Sequence, residues 1–577
     1  MVVDSRQMII DNTPTVTSKS RKLSTRMRLR LNTVQRLRKL NAQRRVQKIE
    51  SPDPRLKIAK RDEKKSDGPN NIKLRKPSIK SANLSKPPCP PARFRKRQIN
   101  KTWLPTHVYH TKRAHMTMPK EPLWRFALPL TPTEKCYRPA HRAMSVRGAI
   151  AWDLSYVSVI GLTGREDQLV AILKALGVGR NDKKDNTWLE PGCRWRNGTR
   201  TWIGWLSDGK RSCSRGIGPA QIIWCGMVES ATGDHSSTSK HLGKSKIVRK
   251  VIIRLHPAIF LQVWHLVVAL CASSRPRVVA EDLRFEIGSI EVMGPSAIEA
   301  LVAVMRPVGI VHSETSSNST EKTWEALKPL TNAAILPRNV LLAFQIIDPR
   351  LRSAPVRTSE RGNKIQRGLV EILANWPLDQ EPVRSPLFDY TARHAAARAL
   401  PRQKAINRRK RSAMPGSSLQ PRPSDPQIPI VAYTSDLSDA GDRRSWTILL
   451  PWKCVLPVWY ALMFHPVASG GTVRFGGLRE QRQLAFEEGI PWFPGDFPGT
   501  KAGFDWELLE RQRRKAEWQR KPRGRRVEWD SLKLGQDRKG EIGLGWACDW
   551  EALDNDVNTE GGIWFFYNIF VCFDDLF

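Results

Sequence analysis

Apolar positions follow two different periods along this chain, and the point where a period first appears marks where structure is expected to begin. Up to about residue 100 there is neither. The stretch 21–48 (RKLSTRMRLRLNTVQRLRKLNAQRRVQK) carries an intermittent stripe at Leu29, Leu31, Val34, Leu37 and Leu40, which predicts at most a basic helix. Pro52, Pro54, Pro77, Pro87, Pro88, Pro90 and Pro91 then punctuate a Lys- and Ser-rich run. Such a segment buries too little apolar surface to offset its ordering entropy. Residues 1–100 are therefore expected to be a basic arm, disordered until it lies on a partner.

Beyond Trp103 the pattern tightens. Residues 151–162 run apolar with β-branched members and predict one strand. Residues 165–176 follow as a short helix with Leu169, Ile172, Leu173 and Leu176 on one side. Further strands are predicted at 201–206, 220–227, 250–255, 285–292 and 339–347, helices at 258–271 and 297–305, and a polar loop at 313–321. This order implies an α/β core of mixed α+β type over 101–390. Residues 391–427 are basic, proline-bearing and poorly periodic, and read as a linker. A tryptophan-rich domain is expected at 428–530. A second basic run covers 511–526, a strand-like piece 540–542, and residues 531–577 read as the start of a further region.

Composition narrows the class of partner. The 577 residues hold 96 Lys and Arg against 55 Asp and Glu, a formal net charge of +41. Residues 1–120 carry roughly +25 of it and the remainder about +16. A charge of this size repels itself unless a polyanion offsets it, which points to nucleic acid. No apolar run is long enough to span a bilayer, so no membrane partner is expected. The nine cysteines are dispersed without a Cys-x-x-Cys pair, which suggests reduced thiols of the nucleus or cytosol and no structural zinc.

Three groups of residues carry candidate chemistry. His107, His110 and His115 crowd with Trp103, Tyr109, Lys112 and Arg113. On a helix the three histidines would spread over about 140° of arc, with no carboxylate or thiol to complete a metal cage. RNA contact is the preferred role, Lys and Arg at phosphates and His and Tyr on unpaired bases; a buried hydrogen-bonded cluster is the bland alternative. In the second group Lys135, Arg138, His141 and Arg142 are taken as phosphate contacts, with Glu134 orienting Lys135 or Arg138 rather than forming a catalytic pair with Cys136. In the third, 449–500, tryptophans, prolines and glycines form what reads as a rigid platform meeting a polyanion. Any one of these tryptophans is more often core than contact. Arg474, Arg479 and Arg482 are its candidates for RNA or a neighbouring subunit. The pairs Gly470-Gly471 and Gly476-Gly477 lack dinucleotide-fingerprint spacing and read as tight turns or close backbone approaches. No catalytic, cofactor-binding or metal site emerges.

Four blocks resemble a known family. They are LPTHVYHTKRAHM with LWRFALPLTPTEKCYRPAHRA and AWDLSYVSVIGLTG, then DLRFEIGSIEVMGPSAIEAL, then LPRNVLLAFQIIDPRL, and finally the tryptophan-rich segment, which is similar to a POPLD domain. Together they resemble the largest protein subunit of nuclear ribonuclease P and ribonuclease MRP, of fungal type. The resemblance implies an RNA-binding scaffold that supports a catalytic RNA in removing 5′ leaders from precursor tRNA and in processing precursor ribosomal RNA, in the nucleus and nucleolus. It implies the ribonuclease P and MRP RNAs and their other protein subunits as partners, precursor tRNA indirectly, and Mg²⁺ on the RNA with no cofactor on the protein. It also implies that the chain begins inside the family's basic N-terminal region and stops soon after GEIGLGWACDWEAL, where members continue into a C-terminal domain. The family is linked at fold level to the glycine-cleavage T-protein. A folate-dependent aminomethyltransferase is thus a rival reading, and a DNA or chromatin binder is another.

Overall fold

The computed structural model describes residues 95–98, 101–118, 122–134, 137–179, 187–189, 192–208, 216–226, 248–308, 320–351, 363–376, 385–414, 419, 422–436, 444–527, 533–535 and 538–539, all within the unit Pro77–Phe577. Nearly all of the expected N-terminal arm, and the strand expected at 540–542, lie outside the described residues.

Short elements come first: helix α1 (His107–His110), the antiparallel pair β1 (Ala114–Met116) and β2 (Pro129–Pro132), and helix α2 (Tyr137–Ser145). Where one strand is predicted at 151–162, the chain forms two, β3 (Ile150–Asp153) and β4 (Ser158–Arg165), and they belong to different sheets. The Asp153 carboxylate accepts the Ser155 N–H at 2.9 Å, and the Leu154 N–H is captured by the Ser289 carbonyl at 3.0 Å. That Asx-type bond turns the backbone. The apolar run continues through it because β3 and the first five residues of β4 are buried.

Then follow α3 (Glu166–Ala175), β5 (Trp202–Ser207), β6 (Gly216–Trp224), β7 (Val248–Leu255), α4 (Phe260–Ser273) and β8 (Val279–Asp282). With β4 these strands make a five-stranded antiparallel sheet in the order β8-β4-β7-β6-β5. The rest of the core comprises β9 (Ile287–Met293), α5 (Ala297–Val304), β10 (Leu341–Ile347), α6 (Tyr390–Ala399), α7 (Gln403–Ser412), β11 (Gln427–Asp436), β12 (Arg444–Pro451), α8 (Val455–Met463), β13 (Arg474–Phe475), α9 (Leu478–Glu487) and α10 (Lys501–Arg520). The six-stranded sheet runs β10-β11-β12-β9-β3-β13, antiparallel except where β13 lies parallel to β3.

Side-chain alternation sets the layers. On β7, Val251, Ile253 and Leu255 pack with α3 and α4, while Ile252 faces the other sheet. On β11, Ile428, Ile430 and Ala432 pack with α5 and α8, while Val431 and Tyr433 face back. The two sheets therefore stack face to face with helices on their outer sides, a mixed α/β architecture. Strands covered on both faces read as continuous apolar runs, which is why the sequence located them without revealing their partners.

A polar clamp crosses the sheet-to-sheet layer. The Arg254 guanidinium donates to Gln221 Oε1 (2.6 Å), Tyr433 Oη (3.2 Å) and Ser289 Oγ (3.1 Å). A guanidinium this buried is tolerable only with such partners.

Residues expected to be a linker form α6 and α7. Asp389 caps α6 by accepting the N–H groups of Thr391 and Ala392, both at 3.3 Å. Arg393 is buried and donates to the Leu387 carbonyl (2.9 Å) and Glu286 Oε2 (3.0 Å). The six-stranded sheet takes β3, β9 and β10 from before this helix pair and β11, β12 and β13 from after it. The regions 101–390 and 428–530 thus share one sheet.

Candidate nucleic-acid interface

The histidine-rich block divides into a buried part and an exposed part. His107, Tyr109 and His110 sit on α1 and are buried. His107 stacks on Trp103 at 4.2 Å. Burial, then the Lys101 charge, lowers its pKa to about 4. Tyr109 meets Trp459, Tyr460 and Phe475 edge-on, and the Arg113 guanidinium lies 4.3 Å over its ring. His110 has no solvent exposure. Its Nδ1 lies 3.0 Å from Thr106 Oγ1, and the Thr106 hydroxyl donates onward to Asp153. Burial lowers the His110 pKa to about 3, with the His107 and Arg113 charges adding to it, and raises that of Asp153. Tyr109 and His110 build the core between α1 and α8 while His107 is buried against Trp103, so the three rings present no face to a base, which corrects the expectation of stacking. The same block exposes Lys112 and His115 and half-buries Arg113. His115 is on β1, so the three histidines do not share a helix.

Helix α2 presents its polar side outward. Ala140, Ala143 and Met144 are buried, leaving Arg138, His141 and Arg142 exposed. Lys135 and Cys136 lie outside the described residues. His141 Nδ1 is 2.7 Å from Glu487 Oε2, which ties α2 to α9. At the end of α2 the Arg147 N–H donates to the Arg142 carbonyl at 2.8 Å and the chain turns through Gly148 into β3.

The tryptophan-rich segment is core rather than platform. Trp459 is inaccessible on α8, and Trp492 is buried against Trp506 at 5.2 Å. Gly476 and Gly477 are close approaches: a Cβ would stand 2.3 Å from the Trp152 indole at Gly476 and 2.5 Å from the Leu130 backbone at Gly477. Gly470 and Gly471 are a turn, with φ of +93° and +81°. Arg474, Arg479 and Arg482 are all exposed. Arg482 leans over Trp492 at 5.7 Å and lies 3.9 Å from Asp496.

Two of the predicted cations converge. Arg142 and Arg474 line one cleft of about 580 Å³, together with Arg147 and the Ser469–Thr472 turn, and no Asp or Glu lines it. None of the three guanidiniums has a partner among the described residues. Elsewhere arginines are neutralised: Arg249 with Glu166, Arg284 with Asp282, Arg350 with Asp348 and Arg444 with Asp436. Three planar donors facing one cavity without a counter-charge suit phosphate oxygens. Arg147 escaped sequence reading because only the Gly148 turn brings it beside Arg142. Among the described residues no group of three His, Cys, Asp or Glu is placed to hold a metal, and no helix is long and apolar enough to cross a membrane.

The family description "Ribonucleases P/MRP protein subunit POP1, N-terminal" matches residues 3–165, and "POPLD (NUC188) domain" matches 445–550. The ribonucleases P/MRP protein subunit POP1 of Saccharomyces cerevisiae is 26% identical over 487 residues, 80% of this chain and 50% of that protein. Its Schizosaccharomyces pombe counterpart is 27% identical over 474 residues, 81% of this chain and 59% of that protein. The chain therefore spans roughly half the length of the curated relatives it matches. Glycine cleavage system aminomethyltransferase T from Bartonella henselae superposes with a TM-score of 0.32 at 12% identity, over 67% of this chain and 63% of that one, too loosely to transfer fold or activity.

Proposed function

We propose, from the matches to the POP1 N-terminal and POPLD descriptions and from the likeness to the two yeast POP1 subunits, that the chain is a member of the POP1 protein-subunit family and an RNA-binding scaffold of ribonucleases P and MRP. Its partners are the ribonuclease P RNA, the ribonuclease MRP RNA and the other protein subunits, and it meets precursor tRNA only through the assembled particle. The observation that carries this reading is the cleft in which Arg142, Arg147 and Arg474 converge without a carboxylate.

In this reading the protein performs no bond cleavage. Structured RNA folds against its own phosphate repulsion, and each neutralised phosphate releases condensed counterions. The protein supplies fixed cations at points where RNA strands crowd, and the sheet-stacked core keeps those points in register. Phosphate contacts position the RNA and carry no sequence information by themselves. Any Mg²⁺ would be held by the RNA rather than by this chain, and would supply metal-assisted hydrolysis chemistry there. The setting is the nucleus and nucleolus, where precursor tRNA and precursor ribosomal RNA are processed.

The deciding experiment is affinity purification of the tagged chain from cells, followed by sequencing of the RNA that accompanies it. Ribonuclease P and MRP transcripts are expected. Competition between structured RNA and duplex DNA at fixed salt separates this reading from a chromatin binder, and folate titration separates it from an aminomethyltransferase. A preparation carrying no such transcript, or a protein that cleaves precursor tRNA when stripped of RNA, would overturn it.

A further inference from the structure

Helix α7 is anchored lightly and charged heavily. One buried apolar side chain, Ile406, fixes it to the core. The Arg409 guanidinium binds both oxygens of Asp425, at 2.6 and 3.1 Å, and Arg350 donates to the Pro401 carbonyl at 3.0 Å just before the helix starts. At 100° per residue, Lys404, Arg408 and Arg411 fall within about 60° of arc on the side opposite Ile406, and they span about 10 Å of helix axis. All three are exposed, and none has a partner among the described residues. The helix QKAINRRKRS contains no acidic residue.

This ridge is unfavourable to its own helix. Lys404 and Arg408 are four apart, a like-charge spacing that costs a few tenths of a kcal/mol. The helix dipole favours cations in the last turn, which accounts for Arg411 but not for Lys404 or Arg408. An external polyanion reverses the sign of the repulsion. The exposed face offers no aromatic or large aliphatic side chain, the anchor that a protein partner ordinarily needs. It has nothing to stack on a base, either.

We infer that α7 is an RNA-docking ridge, separate from the arginine cleft, that lies along the phosphodiester backbone of double-stranded RNA. Its donors recognise phosphate spacing, and so duplex shape rather than sequence. The inference rests on the RNA-scaffold reading and adds to it a second surface and the form of RNA that it takes.

The test uses the full chain and its K404Q/R408Q/R411Q variant. Each binds a perfect RNA duplex and a single-stranded RNA of equal length across a salt series. For the duplex, the slope of log K against log[salt] should become shallower by about 2 to 3, as expected for three lost phosphate contacts. The single-strand slope should change less, and the unfolding midpoint should hold or rise. An unchanged duplex slope overturns the inference while leaving the scaffold reading in place. Retention of that slope with loss of a co-purifying acidic protein overturns it in favour of a protein surface. A wild-type chain without salt-dependent RNA binding removes both readings together.

Discussion

His141 of α2 and Glu487 of α9 meet at 2.7 Å, and so join two segments that separate family descriptions match. The joint is deeper than this surface contact. Strand β12, in the second segment, pairs with β9, and β13 pairs with β3 in the first. Expressed alone, residues 428–550 are expected to lack a cooperative thermal transition, because β12 would keep only one neighbour. Co-expression with residues 95–414 should restore the transition. A sharp independent melt of the shorter piece would contradict the shared sheet.

The arginine cleft gives the second prediction. In the full chain, R142Q/R147Q/R474Q should flatten the salt dependence of RNA binding by about 2 to 3 in log–log slope. Its unfolding free energy should move by less than about 0.5 kcal/mol per site, since all three side chains are exposed. Arg513 serves as the control: it is exposed but sits 3.2 Å from Glu517 and 3.6 Å from Glu510, so R513Q should leave the slope nearly intact. Equal effects of the control and the cleft variant would show that only bulk charge matters.

His110 makes stability depend on pH. Its folded pKa, near 3, lies below the unfolded value of about 6.5, so the unfolded chain binds more protons between these limits. Its contribution is complete above pH 6.5 and is lost as pH falls through the window, by about 1.4 kcal/mol per pH unit. Burial raises the pKa of Asp153, reached through Thr106, and that group acts in the opposite sense above its ordinary value. The variant H110F isolates the histidine. From pH 6 to pH 5 the wild type should lose about 1.4 kcal/mol more than H110F in urea titrations. Parallel losses would rule out a neutral buried imidazole.

Gly294 underpins the cleft wall. Its φ is +110°, and a Cβ there would stand 2.2 Å from the Ala143 carbonyl oxygen and 2.8 Å from that of Gly148. Both contacts are backbone and have little room to move. G294A should lose about 2 kcal/mol or more of stability and should weaken RNA binding as well, because Ala143 and Gly148 line the cleft. A melting temperature equal to wild type would mean that the turn relaxes freely.

Local features were legible in the sequence where one physical cause dominated. The i, i+3, i+4 spacing of Leu169, Ile172 and Leu173 located α3, and the apolar run at 339–347 located β10. The break between β3 and β4 was hidden, since Asp153 turns the chain without interrupting its burial. Helix α7 reads as linker in the sequence because a single Ile406 anchors ten residues, too sparse a signal for periodicity. His107, Tyr109 and His110 drew a surface role from their polarity. Their burial depends on Asp153 and Trp459, which lie far along the chain and are invisible to local spacing. Arg142 and Arg474 were identifiable as cations, while their meeting at one cavity is a property of the tertiary fold.

The stacking of strands from both ends of the chain has a consequence during synthesis. Strand β9 leaves the ribosome roughly 150 residues before its neighbour β12, a delay of about 10 to 30 seconds at ordinary elongation rates. Throughout that interval one side of a ribbon that is largely buried in the finished fold has no hydrogen-bonding mate, the condition in which nascent polypeptides recruit one another. A ribosome stalled between residues 300 and 440 would therefore hold an adhesive half-product, so the translation speed of that stretch bears directly on the yield of soluble protein.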